Sequence, residues 1–350
     1  EVVRRRGWLT EAEYLDLISA ANMIPGPNST EMAIHVGWKR RRWSGLLVAG
    51  LCFILPAALI TGILGWVYVR FGSLPEVGWV LYGVKPVILA VVVQAIWGLA
   101  PKAAPSTATR VLGVLAVLAA ALGANELLVL FGAGAVLASA RAIRGRATGS
   151  TALAIVPFLP VAGASAAASA VTLPGLFWVF CRTGAVLFGS GYVLLAFLRA
   201  DLVERLHWMT EAQLIDAIAV GQVTPGPVFT TATFIGYLLA GPSGALVATA
   251  GIFLPAFVFV ALSGPLVPRL RASPVAGSFL DGVNVASLAL MAVVTAQLAR
   301  AAVVDVPTAF LGLLGAVLLV RFRPNSSWLV VGGAVAGALA HWAGLAGRGP

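Results

Sequence analysis

Charge is what this sequence has least of. Only 10% of its 350 residues are Asp, Glu, Lys or Arg, 60% are hydrophobic and the mean hydropathy is +0.97, whereas soluble domains carry about 25% charged residues. That excludes an ordinary water-soluble globular domain. Acidic residues are the scarcer sign, 13 against 23 Lys and Arg. The formal charge of +10 does not point to nucleic acid, because the basic residues stand in short clusters beside apolar runs and not over a soluble face. Cysteine is limited to Cys52 and Cys181, both inside apolar runs, which excludes a secreted-type disulfide framework. With three histidines and no Cys/His pair at ligand spacing, no metal centre and no cofactor are expected. Paired carboxylates at one depth, and Ser with His inside the runs, are also missing, so an intramembrane enzyme has no support.

What is present is a series of long apolar runs, each near the roughly 20 helical residues that cross a hydrocarbon core. Spans are expected at Ser44 to Val69, Val77 to Leu99, Pro174 to Leu198, Gly244 to Ser263, Gly277 to Leu298, Val303 to Val320 and Trp328 to Gly344. Arg110 to Ala124 and Glu126 to Ser139 are short enough to form a tight hairpin, and Ala152 to Leu173 is ambiguous. The expected class is an all-α polytopic membrane protein in contact with lipid.

The chain repeats itself. "WLTEAEYLDLISAANMIPGP" from Trp8 and "WMTEAQLIDAIAVGQVTPGP" from Trp208 share the Trp, Thr, Glu, Ala, Asp and Ile pairs and the whole Pro-Gly-Pro. The correspondence continues through Thr30 with Thr230, then one residue shorter through "FILP" at Phe53 with "IFLP" at Ile252, and "GVKP" at Gly83 with "GVNV" at Gly282. Chance similarity of membrane helices would align Leu and Val instead, so the pattern reads as a duplication. Residues 1–146 form a first repeat, 147–173 a linker or ambiguous apolar segment, and 174–350 a second repeat. The second has an apolar run before its motif that the first lacks, so a leading helix is expected ahead of Glu1. Basic clusters at Arg4 to Arg6, Lys39 to Arg42, Lys102 with Arg110, and Arg141, Arg144 and Arg146 fall on one side, the cytoplasm, if the first motif enters and leaves on the same face. The basic pairs of the second half, Arg269 with Arg271 and Arg321 with Arg323, fall one span away from their motif's side. The two halves therefore read as inverted repeats, a recurrent build of secondary transporters.

Each motif opens with a capping box, Thr10 with Glu13 and Thr210 with Gln213. The helix from Glu11 to Ile24 covers roughly 21 Å, short of about 30 Å of hydrocarbon. Pro25 then blocks it, Gly26 permits a sharp turn, and Pro27 suits the first turn of a new helix. A broken or re-entrant helix follows, with the next helix starting near Asn28 or Val228 and aiming its free N–H groups inward, as an anion site requires. The expected oxyanion cradle comprises Asn22, Pro25, Gly26, Pro27, Asn28, Ser29 and Thr30 from the first motif and Gln222, Pro225, Gly226, Pro227, Thr230 and Thr231 from the second. Lys85 and Arg182, cations inside apolar runs, are candidates to offset substrate charge. Glu31, one turn into the helix, is the candidate for coupling protons to anion release. Asp16 and Asp216 are expected to meet solvent, and His35 to be packed or cavity-facing.

The two Pro-Gly-Pro segments, "LFGSGYVLLAFLRADLVERLHW" ahead of the second, and "GLCFILPA" and "GIFLPAF" after them, closely resemble the two-domain chromate transporter family over nearly the whole chain. The resemblance implies a protein of the bacterial inner membrane that exports chromate by the proton-motive force, through two homologous domains of opposite orientation. The family's first domain carries a Phe-Gly-Gly-Pro type motif ahead of the position of Glu1; here only the second domain's version is present, Phe188, Gly189, Ser190, Gly191, with Ser in place of one Gly. Asn28 and both Pro-Gly-Pro pairs match the family, whereas Val228 departs from the polar residue of the first copy and makes the site asymmetric. Sulfate, an isosteric dianion, is the alternative substrate through import or exchange, a passive anion channel is a further rival, and a homodimer is a further expectation.

Overall fold

The computed structural model describes residues 2–3, 5–72, 74–147, 170–188, 191–271, 273–322 and 326–343. Among these, all regular structure is helical. Five helices are long and apolar enough to cross a membrane, Asn28–Phe71, Glu76–Ala103, Glu126–Arg144, Val228–Ser263 and Pro274–Ala302.

The first motif builds a helical hairpin. Helix α1 (Glu11–Ala21) starts on the reciprocal Thr10–Glu13 capping box and ends at Asn22. The chain then turns through Gly26, whose φ of 140° a side chain would not tolerate, before α2 (Asn28–Phe71) begins. Glu13 at the head of α1 reaches Lys39 at 2.7 Å, so residues 28–39 run back alongside α1 to the level at which it began. The Trp8 ring beneath Arg40, 5.2 Å away, closes the same end.

Helix α2 is itself two rods. Arg41 and Arg42 have non-helical backbone, and a Cβ on Gly37 would come within 2.6 Å of the Ala49 Cβ, a pair roughly 18 Å apart along a straight helix. The chain thus reverses at 41–42, Gly37 and Gly45 allowing the two rods to touch. The second motif repeats the plan: α8 (Glu211–Val223) on its Thr210–Gln213 box, a turn at Gly226 with φ 134°, a 3₁₀ turn at Val228–Thr230, then α9 (Thr231–Arg271) reversing at Ala240 and Gly241.

Six further helices are α3 (Pro75–Ala103), α4 (Thr107–Ala121), α5 (Glu126–Ala147), α10 (Pro274–Ala302), α11 (Val306–Phe322) and α12 (Ser326–Trp342). They interlock across the two halves. Helix α3 packs on α11 and α12, and its counterpart α10 packs on α4 and α5. The close approaches are reciprocal: Gly83 meets Gly333 and Gly337, while Gly282 meets Ala133 and Gly134. Likewise Gly26 faces Ala256 and Gly226 faces Ala57.

The run from Pro174 to Leu198, expected as one span, is broken. Helix α6 (Leu173–Val186) stops, and the chain resumes through a 3₁₀ turn at Gly191–Val193, a short α7 (Leu194–Leu198) and a wide π turn at Arg199–Arg205. Leu187 leaves the helix with its carbonyl free to accept the Gly26 N–H at 2.7 Å. The break before the second motif therefore seals the break inside the first. The expected hairpin of 110–139 is present as α4 and α5, joined through Gly123. The ambiguous segment Ala152 to Leu173 falls at 152–169 outside the described residues, as do Gly189 and Ser190 of the glycine motif.

Candidate functional site

A cavity of about 610 Å³ opens at the tip of the first hairpin. Asn22 and the residues that start α2, Pro27, Asn28 and Ser29, form one wall. Gly191, Val228 and Phe229 bring in the second half, α10 contributes Asn284, Ser287 and Met291, and Lys102 stands where α3 ends.

The chemistry of this lining is that of a hydrogen-bond donor set. Pro27 caps α2 without a side-chain hydrogen bond, and its carbonyl accepts the Thr30 and Glu31 N–H groups, so the Asn28 and Ser29 N–H groups keep their donor capacity at the positive end of the helix dipole. Asn28 donates its amide to Asn22 Oδ1 at 2.8 Å; this fixes both side chains and leaves the Asn22 NH₂ and a second Asn28 hydrogen for a ligand. Ser287 Oγ is buried and has no hydrogen-bond partner, a costly state for a hydroxyl unless a guest or water completes it. The Lys102 ammonium is exposed at this cavity, and among the described residues no carboxylate lines it. An anion with several acceptor oxygens is what such a lining accommodates. A larger crevice, about 760 Å³, lies between α2 and α9, but its lining is apolar apart from Tyr237, Thr233 and Thr249, and the two threonine hydroxyls bond each other at 2.7 Å.

Of the expected cradle, Asn22, Pro27, Asn28 and Ser29 come together at the cavity. Pro25 and Gly26 form the turn behind it, and Thr30 is fully buried with its hydroxyl unpartnered. From the second motif only Val228 and Phe229 reach the lining. Thr230 and Thr231 spend their hydroxyls on the Pro227 and Val228 carbonyls, while Gln222, Pro225, Gly226 and Pro227 lie outside it.

Neither predicted cation lines the cavity. Lys85 stands 3.2 Å from Asp216 Oδ1. Asp216, expected to meet solvent, is only 3% exposed, and it also accepts the Tyr68 hydroxyl at 2.8 Å; α3 covers the face of α8 that its sequence leaves open to water. Arg182 bonds Asp201, which Arg205 also contacts at 3.0 Å. Glu31 is fully buried, both carboxylate oxygens without a hydrogen-bond partner, and packs on the Cα of Gly26. His35, one turn on, is buried with Nε2 unpartnered.

Lys102, Asn284 and Ser287 were not legible as site residues. Lys102 reads as one of a topological cluster with Arg110, and Ser287 stands in an Ala- and Leu-rich run. Asn284 alone carried a signal, as the repeat counterpart of Lys85.

Comparison with known proteins gives a family match in two stretches. The family model described as "Chromate transporter" matches residues 1–138 and 174–338. The chain is 33% identical to a chromate transport protein of Cupriavidus metallidurans over 338 residues, 95% of this chain and 84% of that protein. It is 30% identical to a probable chromate transport protein of Synechococcus elongatus, over 90% of this chain and 81% of that one. A chromate transport protein of Pseudomonas aeruginosa is 28% identical over 98% and 85%. No solved structure matches.

Proposed function

Since the chain belongs to the chromate transporter family and is a multi-pass membrane protein and not an enzyme, we propose that it carries chromate through the cavity at the tip of the first Pro-Gly-Pro hairpin. One observation carries this assignment: Asn22, Asn28, Ser29, Asn284, Ser287 and Lys102 converge on a space that holds no carboxylate. Chromate offers four acceptor oxygens and two charges, and neutral donors with one ammonium bind it while still letting it leave.

The finer reading follows from chain geometry. Residues 1–146 and 174–350 act as two repeats of opposite orientation, each with a re-entrant hairpin that enters and leaves on one side. The Glu13–Lys39 contact and the reciprocal Gly83–Gly333 and Gly282–Gly134 approaches support this. In that orientation the basic clusters, Lys102 among them, face the cytoplasm, and the cavity loads from that side. Export across the bacterial inner membrane is the direction this favours. Glu31, buried against the turn that shapes the site, carries the proton that couples export to the proton-motive force.

Equilibrium binding of radiolabelled chromate to the purified full-length protein tests the site. Asn28→Ala and Lys102→Ala are each expected to weaken binding by about tenfold or more, the range of a lost hydrogen bond to a charged group. Unchanged affinity in both variants would remove this cavity as the site.

A further inference from the structure

The residues that α3 and α10 give to the cavity have counterparts on each other. The register that pairs Gly83 with Gly282 carries Asn284, Ser287 and Met291 of α10 onto Lys85, Ile88 and Val92 of α3. All three α10 residues line the cavity, Asn284 half-buried and Ser287 and Met291 as buried as their mates Ile88 and Val92. At the other end Leu99 and Ala103 line it, and their counterparts Leu298 and Ala302 are buried. The Leu99 end of α3 is thus open to the cavity where the Leu298 end of α10 is packed.

The packed side contains an ion pair that the repeat mate of its lysine, Asn284, cannot make. Lys85 of α3 meets Asp216 of α8, and Tyr68 of α2 donates to the same carboxylate. The Tyr68 ring rests edge-on against Phe234 at 5.2 Å. These contacts tie α2 and α3 of the first repeat to the hairpin of the second. In the reciprocal position the lysine is replaced by Asn284, which has no charge and faces the cavity. Among the described residues α3 packs along α8, while α10 makes no comparable packing on α1.

We propose that Lys85, Asp216 and Tyr68 form a latch that holds shut the face opposite Lys102, and that the transport cycle requires its release. This rests on the inverted-repeat transporter reading above. A buried ion pair is suited to latching because it is tight only when both partners are in place, and once separated each charge must find water. The contact is therefore either made or broken, as a two-state element requires.

Thiol labelling tests the latch. In a background with Cys52 and Cys181 replaced by serine, Ile88→Cys reports on the shut side and Leu99→Cys, half-buried at the cavity, on the open side, each read with a membrane-impermeant maleimide. Asp216→Asn is expected to raise Ile88→Cys labelling about tenfold through a shift of the two-state equilibrium, and to lower labelling of Leu99→Cys. Tyr68→Phe, which keeps the ring packing, shifts both in the same directions by less, and carries the test if Asp216→Asn does not insert. The exchange Lys85→Asp with Asp216→Lys is expected to return both rates toward the parent. Unchanged Ile88→Cys labelling in the inserted variants overturns the latch, and so does a rise at both positions, which would mark general loosening. The labelling uses no oxyanion, so its outcome is independent of whether chromate binds the cavity.

Discussion

Single residues carry two distinct kinds of charge chemistry here. At the solvent end of the first hairpin the Lys39 ammonium, helped by Thr10, holds the Glu13 carboxyl at about 2, below the ordinary carboxylate range. A depressed carboxyl contributes stability above its ordinary range and loses it only as pH falls toward 2, so Glu13 is ionised throughout pH 5 to 8. Glu13→Gln is expected to leave the pH profile of transport between 5 and 8 superimposable on the parent, because Gln213 caps the equivalent helix in the second repeat; a shifted profile would assign Glu13 a part in coupling. At the buried end, Glu31→Gln preserves shape and removes the titratable proton. It is expected to retain chromate binding while flux ceases to respond to a proton gradient. Gradient-stimulated flux in Glu31→Gln would transfer coupling elsewhere. Legibility at this scale was uneven. Asn22, Asn28 and Ser29 stand in the motif and were readable from it. Lys102 and the Lys85–Asp216 pair were not, because a cation's role depends on which carboxylate the fold brings beside it, and Asp216 lies on a helix from the other repeat.

The helices explain why the two motifs need what surrounds them. Pro-Gly-Pro and the capping boxes announce where α1, α2, α8 and α9 begin, since those signals are local. The reversal at Arg41 and Arg42 was announced by the basic cluster Lys39 to Arg42 ahead of the span from Ser44, but its tightness was not: Arg42 takes φ 49° in a position where the second repeat has Gly241. Nor was the break after Val186, which follows from a distant partner, the N–H of Gly26. Interlocking of α3 with α11 and α12 depends on backbone contact at glycine. Gly83→Ala places its Cβ against the Gly333 carbonyl, and Gly282→Ala against that of Ala133. Each is expected to destabilise the protein by about 1–3 kcal/mol, the usual cost of overpacking. Gly78→Ala, on the same helix with open space around it, is the matched control. Thermal unfolding in detergent checks this, and equal melting temperatures for Gly83→Ala and Gly78→Ala would contradict the interlock.

At the scale of the whole molecule the repeat converts a sequence pattern into a mechanism. Two hairpins meet near their tips, α3 and α10 each pack on the helices of the other half, and a cavity rich in donors lies beside the first tip. A duplication was readable because Trp, Asp, Pro and Gly recur in register. Which hairpin tip supplies the donors of the cavity was not, since both halves carry nearly the same motif and the difference lies in packing. The molecule is proposed to move chromate in exchange for protons, and flux tests this most directly. Full-length protein in proteoliposomes is loaded with radiolabelled chromate and followed with and without an imposed proton gradient, with excess sulfate as competitor. Chromate movement that rises with the gradient, and that Asn28→Ala and Lys102→Ala both suppress at matched incorporation, is the predicted result. Flux that ignores the gradient, or that survives in both variants, would contradict it.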